Sequence, residues 1–218
     1  MIEARNITKS YFTTRGKVTI FKDLSFQVPV GRNVALIGRN GAGKSTLMRM
    51  IAGQDMPDRG RIVTSGSISW PVGLSGGFQG SLTARDNVKF VARVYGAEGR
   101  MGQIVDYVEK FAEIGDYFDQ PVKTFSSGMR SRVAFGLSLA FDFDYYLIDE
   151  AMSTGDVHFQ NKAKRAFRQK ISTSNIILVT HSMNQVRTMC DYVLLIENGN
   201  VLPFENVDEG IRMYEETC

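Results

Sequence analysis

Residues Gly38-Arg39-Asn40-Gly41-Ala42-Gly43-Lys44-Ser45 place glycines, a lysine and a hydroxyl in the spacing GxxxxGK[ST]. Such a loop can hold a polyphosphate. Glycines let backbone N–H groups close around phosphate oxygens, Lys44 can reach the terminal phosphates, and Ser45 offers a hydroxyl to magnesium. The loop works only between a strand and a helix. The apolar run Val34-Ala35-Leu36-Ile37 precedes it and the helix-forming residues 46–52 follow, so a helix N-terminus adds positive potential where phosphate would sit.

A second cluster is Asp149-Glu150, which ends the apolar run Tyr145-Tyr146-Leu147-Ile148. Two acids after a strand are ordinary loop chemistry when they stand alone. Paired with a phosphate loop they suit nucleotide hydrolysis, with Asp149 holding magnesium through water and Glu150 orienting or deprotonating the attacking water. A third stretch, Phe125-Ser126-Ser127-Gly128-Met129-Arg130, opens a helix whose apolar period runs through Val133, Leu137 and Ala140. Ser126 or Ser127 suits the N-cap, and the helix start presents backbone donors to an anion. By itself this is also what any Ser-capped helix looks like. No NKxD-like guanine reader is present, which disfavours a GTPase.

The elements that must position these groups read as an α/β core. The runs at 34–37, 145–148, 176–179 and 192–196 are almost continuously apolar, as strands covered on both faces require. The first three are expected to lie parallel in one sheet. Residues 2–7 and 18–28 read as strands of a more antiparallel layer, and Ile62-Val63 and Ile68-Ser69-Trp70 continue the strand rhythm. Residues 83–140 turn helical, with apolar positions at Val88, Val91, Ala92 and Tyr95 and again from Ile104 to Ile114. Asn198-Gly199-Asn200 marks a hairpin turn, and 208–217 a closing helix. The basic run Lys162, Lys164, Arg165, Arg168 and Lys170 reads as a solvated helix face, with Ala163, Ala166 and Phe167 inward and His158 at the surface.

Bulk numbers narrow the function. A chain of 218 residues can bury one sizeable core. Its 26 Lys and Arg against 23 Asp and Glu leave a net charge of +3, too small and scattered to bind nucleic acid by charge alone. Cys190 and Cys218 form neither a metal spacing nor a disulfide framework, which fits a reducing compartment. No signal-like apolar region opens the chain, and no apolar run approaches the ~20 residues that span a bilayer.

Taken in order, GRNGAGKST, FSSGMRSRV, YYLIDE, Ser153-Thr154-Gly155-Asp156 and Val179-Thr180-His181-Ser182 resemble the nucleotide-binding subunit of an ABC transporter along nearly the whole chain. The resemblance implies a P-loop NTPase core, mostly a parallel sheet with helices on both faces, plus an N-terminal antiparallel β layer and an inserted helical lobe. It implies one domain over 1–218, with a core lobe of about 1–82 and 141–218 and a helical lobe of about 83–140. ATP and Mg2+ are the implied ligands. Gly38, Asn40, Gly41, Ala42, Gly43, Lys44, Ser45 and Thr46 would bind the nucleotide, and Tyr11 would stack on the adenine. Ser45 and Asp149 would serve the magnesium, while Glu150 and His181 would set up hydrolysis. His181 owes this role to its register with the other motifs. A second copy, paired head-to-tail through the turn at Asp156, would close over the ATP with Ser126, Ser127 and Gly128.

Two departures from the family stand out. The signature carries Ser127 for a glycine and Met129 for a glutamine, which spares the backbone donors but removes an amide side chain. The family's glutamine between the lobes is also displaced: counting back from Leu82-Thr83 gives Leu74, and the nearest glutamine is Gln79. The segment SWPVGLSGGFQGSLTARDN narrows the resemblance to the ATP-binding component of Gram-negative capsular polysaccharide exporters, and more loosely to O-antigen and teichoic acid exporters. Its LSGG precedes the helical lobe, so it is expected to join the lobes rather than grip ATP, with Phe78 and Gln79 facing a permease. The implied setting is the cytoplasmic face of the inner membrane, peripheral, with an integral membrane permease, periplasmic and outer-membrane export components reached through it, and no nucleic acid. Because the sequence ends at Cys218, no appended carbohydrate-binding domain is expected. The rival readings are an ABC subunit for another cargo, or a soluble ABC ATPase acting on nucleic acid or ribosomes.

Overall fold

The computed structural model describes residues 1–14, 16–73, 77–149 and 157–217. They form two compact units. The first comprises Met1–Ser69, Phe143–Glu150 and Ser174–Cys218; the second comprises Trp70–Asp142 and Ala151–Thr173.

The first unit begins with a long hairpin, β1 (Ile2–Thr13) and β2 (Gly16–Val28), and β4 (Arg59–Thr64) pairs with the other edge of β1. All three strands are antiparallel. Both hairpin strands reach further toward the turn than the expected 2–7 and 18–28. Register shifts flank Ile7 and Lys9 and break the alternation that would have revealed the distal halves.

The larger sheet has the order β5-β6-β7-β3-β8-β9, formed by Ile68–Pro71, Tyr145–Asp149, Asn175–Val179, Val34–Ile37, Tyr192–Glu197 and Asn200–Phe204. Strands β6, β7, β3 and β8 are mutually parallel, as the apolar runs require. β9 returns antiparallel through Asn198 (φ 49°) and Gly199 (φ 77°). Helix α1 (Lys44–Ile51) buries Leu47, Met48, Met50 and Ile51 in a core with Ile2, Ile7, Phe21 and Phe26 of the hairpin and Leu36, Leu147, Ile177 and Leu194 of the parallel strands. Burying such side chains stabilises by about 1.5–3 kcal/mol each, so this layer fixes the loop that opens α1. Next to β6, the buried Ser69 hydroxyl accepts a hydrogen bond from the Leu147 amide at 2.9 Å.

The second unit carries α2 (Ala84–Val94), α3 (Met101–Ala112), α4 (Ser127–Leu139) and α5 (Val157–Ile171). Thr83 caps α2, accepting from the Asp86 amide at 3.0 Å. Phe111 of α3 stacks on Phe135 of α4 at 5.9 Å and meets Phe159 of α5 edge-on at 5.6 Å. Phe159, Ala163 and Phe167 are buried at helical spacing on α5, and Ala166 is half-buried. Its basic face is more tied down than expected: Lys162 donates to Glu113 and to the Phe111 carbonyl, and Lys170 to Asp142. His158 is exposed. Trp70 packs with Tyr95 and Phe141 at 5.0 and 5.6 Å and donates its indole N–H to Ser138.

Helix α6 (Met183–Met189) and α7 (Val207–Thr217) complete the first unit. No helix among the described residues is long and apolar enough to cross a membrane.

Candidate nucleotide site

The phosphate loop leaves β3 at Ile37 and enters α1 at Lys44. Its glycines are required by geometry. Gly43, the N-cap, has φ 107°, and a Cβ there would lie 2.7 Å from Ile20 Cγ2. Gly38 has φ 151°, and its Cβ would lie 2.4 Å from the Ile196 carbonyl oxygen. With these angles the loop wraps the Lys44 side chain, whose Nζ donates to the carbonyls of Gly38 at 2.6 Å and Arg39 at 3.0 Å. Lys44 is only 8% exposed, so its charge is held inside the loop.

The parallel register brings the other groups to the same edge. Asp149 pairs with Val179 across β6 and β7, and Val179 with Leu36 across β7 and β3. The carboxyl ends of these strands therefore meet beside the loop, where open α/β sheets place ligands. There a cavity of about 280 Å3 is lined by Asn40, Gly41, Gly43, Lys44, Ser45, Thr46, Asp149 and His181, with Ile20 and Val179. His181 follows Val179 on a turn fixed by the buried Thr180, whose hydroxyl donates to Gln185 Oε1 at 2.9 Å and accepts from the Ser182 amide at 3.0 Å. Sequence reading did not single out Thr180 as a support, because its partner is found only once α6 folds back.

A neighbouring cavity of about 530 Å3 takes in Arg39 to Ala42, Val18 to Ile20 and Ile196 to Gly199. Tyr11 lines neither cavity. Its hydroxyl donates to Asp55 Oδ2 at 2.7 Å, while Lys9 and the Met56 amide donate to Asp55 Oδ1 at 2.5 and 2.8 Å. The Lys9 hydrogen bond, followed by that from Tyr11, holds the Asp55 carboxyl below its ordinary range and keeps it charged.

The signature stretch lies in the second unit. Ser126 is the N-cap of α4, accepting from the Met129 amide at 3.2 Å, which selects it over Ser127. Ser126 and Ser127 are exposed and Gly128 half-buried. In the same unit Phe78 is half-buried and Gln79 exposed. Buried Asn87 clamps the Gln79 backbone, accepting from its amide at 2.8 Å and donating to its carbonyl at 3.1 Å. This unit also holds a larger cleft, about 580 Å3, lined by Tyr107, His158, Lys162 and Arg165, and none of the expected site residues reach it. Glu150, residues 151–156 including Asp156, and residues 74–76 lie outside the described residues.

Hydroxyl and carboxylate oxygens suit a hard cation, and Ser45 and Asp149 share one cavity. Among the described residues no group of three or more His, Cys, Asp or Glu could hold a metal. The two oxygen donors fit an ion such as Mg2+, which keeps several waters and takes further ligands from substrate phosphates.

A family model described as ABC transporter matches residues 21–153. The chain is 52% identical to the polysialic acid transport ATP-binding protein KpsT of Escherichia coli, over 99% of this chain and 96% of that one. It is 43% identical to the capsule polysaccharide export ATP-binding protein CtrD of Neisseria meningitidis, over 98% of each. Its fold matches a dimeric, ADP- and Pi-bound structure of the ATP-binding cassette MJ0796 with a TM-score of 0.72, at 20% identity, over 94% of this chain and 98% of that one. The chain belongs to the ABC transporter family, as an ATP-hydrolysing cassette.

Proposed function

We propose that this chain is the ATPase subunit of an exporter that moves capsular polysaccharide outward across the inner membrane. The cargo rests on identities of 43–52% to capsule and polysialic acid export subunits, sustained over nearly the full chain. The observation that carries the chemistry is the cavity shared by the phosphate loop, Asp149 and His181.

In this reading the amides of residues 40–46 and the start of α1 bind the phosphates, and Lys44 exchanges loop carbonyls for phosphate oxygens. Ser45 and Asp149 hold Mg2+, which when bound neutralises charge on the transferred phosphoryl group. Glu150 orients or deprotonates the attacking water, and His181 contacts the γ-phosphate. Ser126, Ser127 and Gly128 of a second copy close over the nucleotide through backbone donors at the α4 N-terminus, with Asp156 at the dimer turn. Closure must be worth more with the γ-phosphate than without it, or the nucleotide could not bias the conformation. Phe78 and Gln79, the latter held by Asn87, face an integral membrane permease, which carries the motion to the transport path and onward to periplasmic and outer-membrane components. The chain itself sits peripherally on the cytoplasmic face.

Glu150→Gln tests this mechanism. The variant is expected to bind ATP and accumulate as a dimer in sedimentation or size-exclusion analysis, with hydrolysis reduced by about 10²-fold or more. Wild-type turnover would remove Glu150 from its role. Lys44→Ala in cells is expected to abolish surface polysaccharide, and undiminished export would overturn the transport reading.

A further inference from the structure

We infer that Asp55, Lys9 and Arg49 form a preset cradle that fixes the Tyr11 ring as a platform for the base of a nucleoside triphosphate before the nucleotide arrives. The inference rests on the reading that Tyr11 meets the adenine, and it assigns Asp55 and Lys9 as positioning residues for that contact.

The cradle follows from strand geometry. Lys9 and Tyr11 are two apart on β1, across a register shift at Lys9–Ser10, and both side chains reach Asp55. Asp55 lies in the turn after α1, where its amide and that of Gln54 both return to the Arg49 carbonyl. From there its two oxygens take separate partners, Lys9 and the Met56 amide on one and the Tyr11 hydroxyl on the other. Lys9, only 7% exposed, donates also to the Met56 carbonyl at 2.7 Å and lies 5.1 Å from the centre of the Tyr11 ring. A buried ammonium is tolerated because carboxylate, carbonyl and ring face all compensate it. Arg49 adds a third restraint, donating to the Tyr11 hydroxyl at 3.4 Å and to Thr46 Oγ1 in the first turn of α1 at 3.5 Å.

The hydroxyl end and the Lys9 side of the ring are thus committed to protein contacts. Tyr11 is only half-buried, and its exposed surface is where the base would lie. An untethered tyrosine would have to be ordered when the base binds. Here folding has already supplied that order, so the tether contributes affinity for the base and none for the phosphates.

The test is equilibrium binding of ATP and of inorganic tripolyphosphate, which has no base, to the full chain and its variants. Tyr11→Phe keeps the ring and loses the tether; Asp55→Ala removes the carboxylate. Both are expected to weaken ATP roughly three- to tenfold while tripolyphosphate stays within about twofold of wild type. Tyr11→Ala should weaken ATP further. If Tyr11→Ala is weak but Tyr11→Phe binds ATP as wild type does, the ring stacks unaided and the cradle is overturned. If Tyr11→Ala itself binds ATP normally, the base lies elsewhere and the Tyr11 assignment falls with it. Equal losses for ATP and tripolyphosphate would also overturn the cradle, since they would mark a general disturbance of the fold. Tyr11→Phe removes one half-exposed hydroxyl, so it decides the matter even should Asp55→Ala fail to fold.

Discussion

Replacing Gly38 with alanine tests whether the phosphate loop is held by the sheet beneath it. The substitution carries two costs. Gly38 has φ 151°, a conformation that L side chains rarely adopt, and forcing a residue to stay there costs about 1–3 kcal/mol. The new methyl would also lie 2.4 Å from the Ile196 carbonyl oxygen, inside the 3.0 Å that real Cβ atoms respect. Relief requires β3 and β8 to separate near the pair Ile37 and Leu195, an overpacking cost of about 1–3 kcal/mol. Together these reach about 2–6 kcal/mol, a large part of a typical stability of 5–15 kcal/mol. At about 2–4 °C per kcal/mol for a chain of this size, Tm should fall by roughly 4–24 °C. Gly41→Ala is the matched control. Gly41 has φ 82° but nothing within 4 Å of its Cβ, so it bears the backbone cost alone. Calorimetry without nucleotide, which would otherwise shift Tm by mass action, should therefore rank Gly38→Ala well below Gly41→Ala. Equal losses, or the reverse order, would refute the steric argument and detach the loop from the β3–β8 ladder.

Two further outcomes follow from side chains that bond to distant backbone. Asn87→Ala removes the clamp on Gln79 and should cost about 2–3 kcal/mol, with amide exchange at Gln79 accelerated far more than at Ala140; unchanged exchange at Gln79 would mean the clamp does not order the segment. Asp144 accepts from the Ser67 hydroxyl at 2.8 Å and the Ser67 amide at 2.7 Å, bonds that hold its carboxyl below its ordinary value of 3.8. A depressed folded pKa gives stability that is present above the unfolded value and lost as pH falls through the folded one. Asp144→Asn should therefore lower the urea midpoint near pH 7 and lose that deficit well below pH 3.8, and a deficit independent of pH would exclude the charge as its cause.

The parts of the site that the sequence disclosed are those whose chemistry is local. Gly38, Gly41 and Gly43 declare positive φ by residue type, and an unbroken run such as Val34–Ile37 declares a strand buried on both faces. The register that sets Asp149 opposite Val179 then follows from short parallel strands and brings His181 to the loop. Contacts closed by long-range folding left no such mark. Trp70 needed a hydroxyl to satisfy its indole, but nothing in the sequence singles out Ser138, set in the mostly apolar run 133–139. The stripe Phe159, Ala163 and Phe167 shows that α5 has a buried face without saying which element covers it. Tyr11 sharpens the same limit. Its type promised an aromatic surface, but nothing in the sequence ties it to Lys9 or to Asp55. Only when the turn after α1 returns to β1 does Asp55 gather Lys9 and Tyr11 into one network. A motif therefore names the groups that can touch a ligand, whereas the rigidity with which they are presented depends on partners that the motif does not contain.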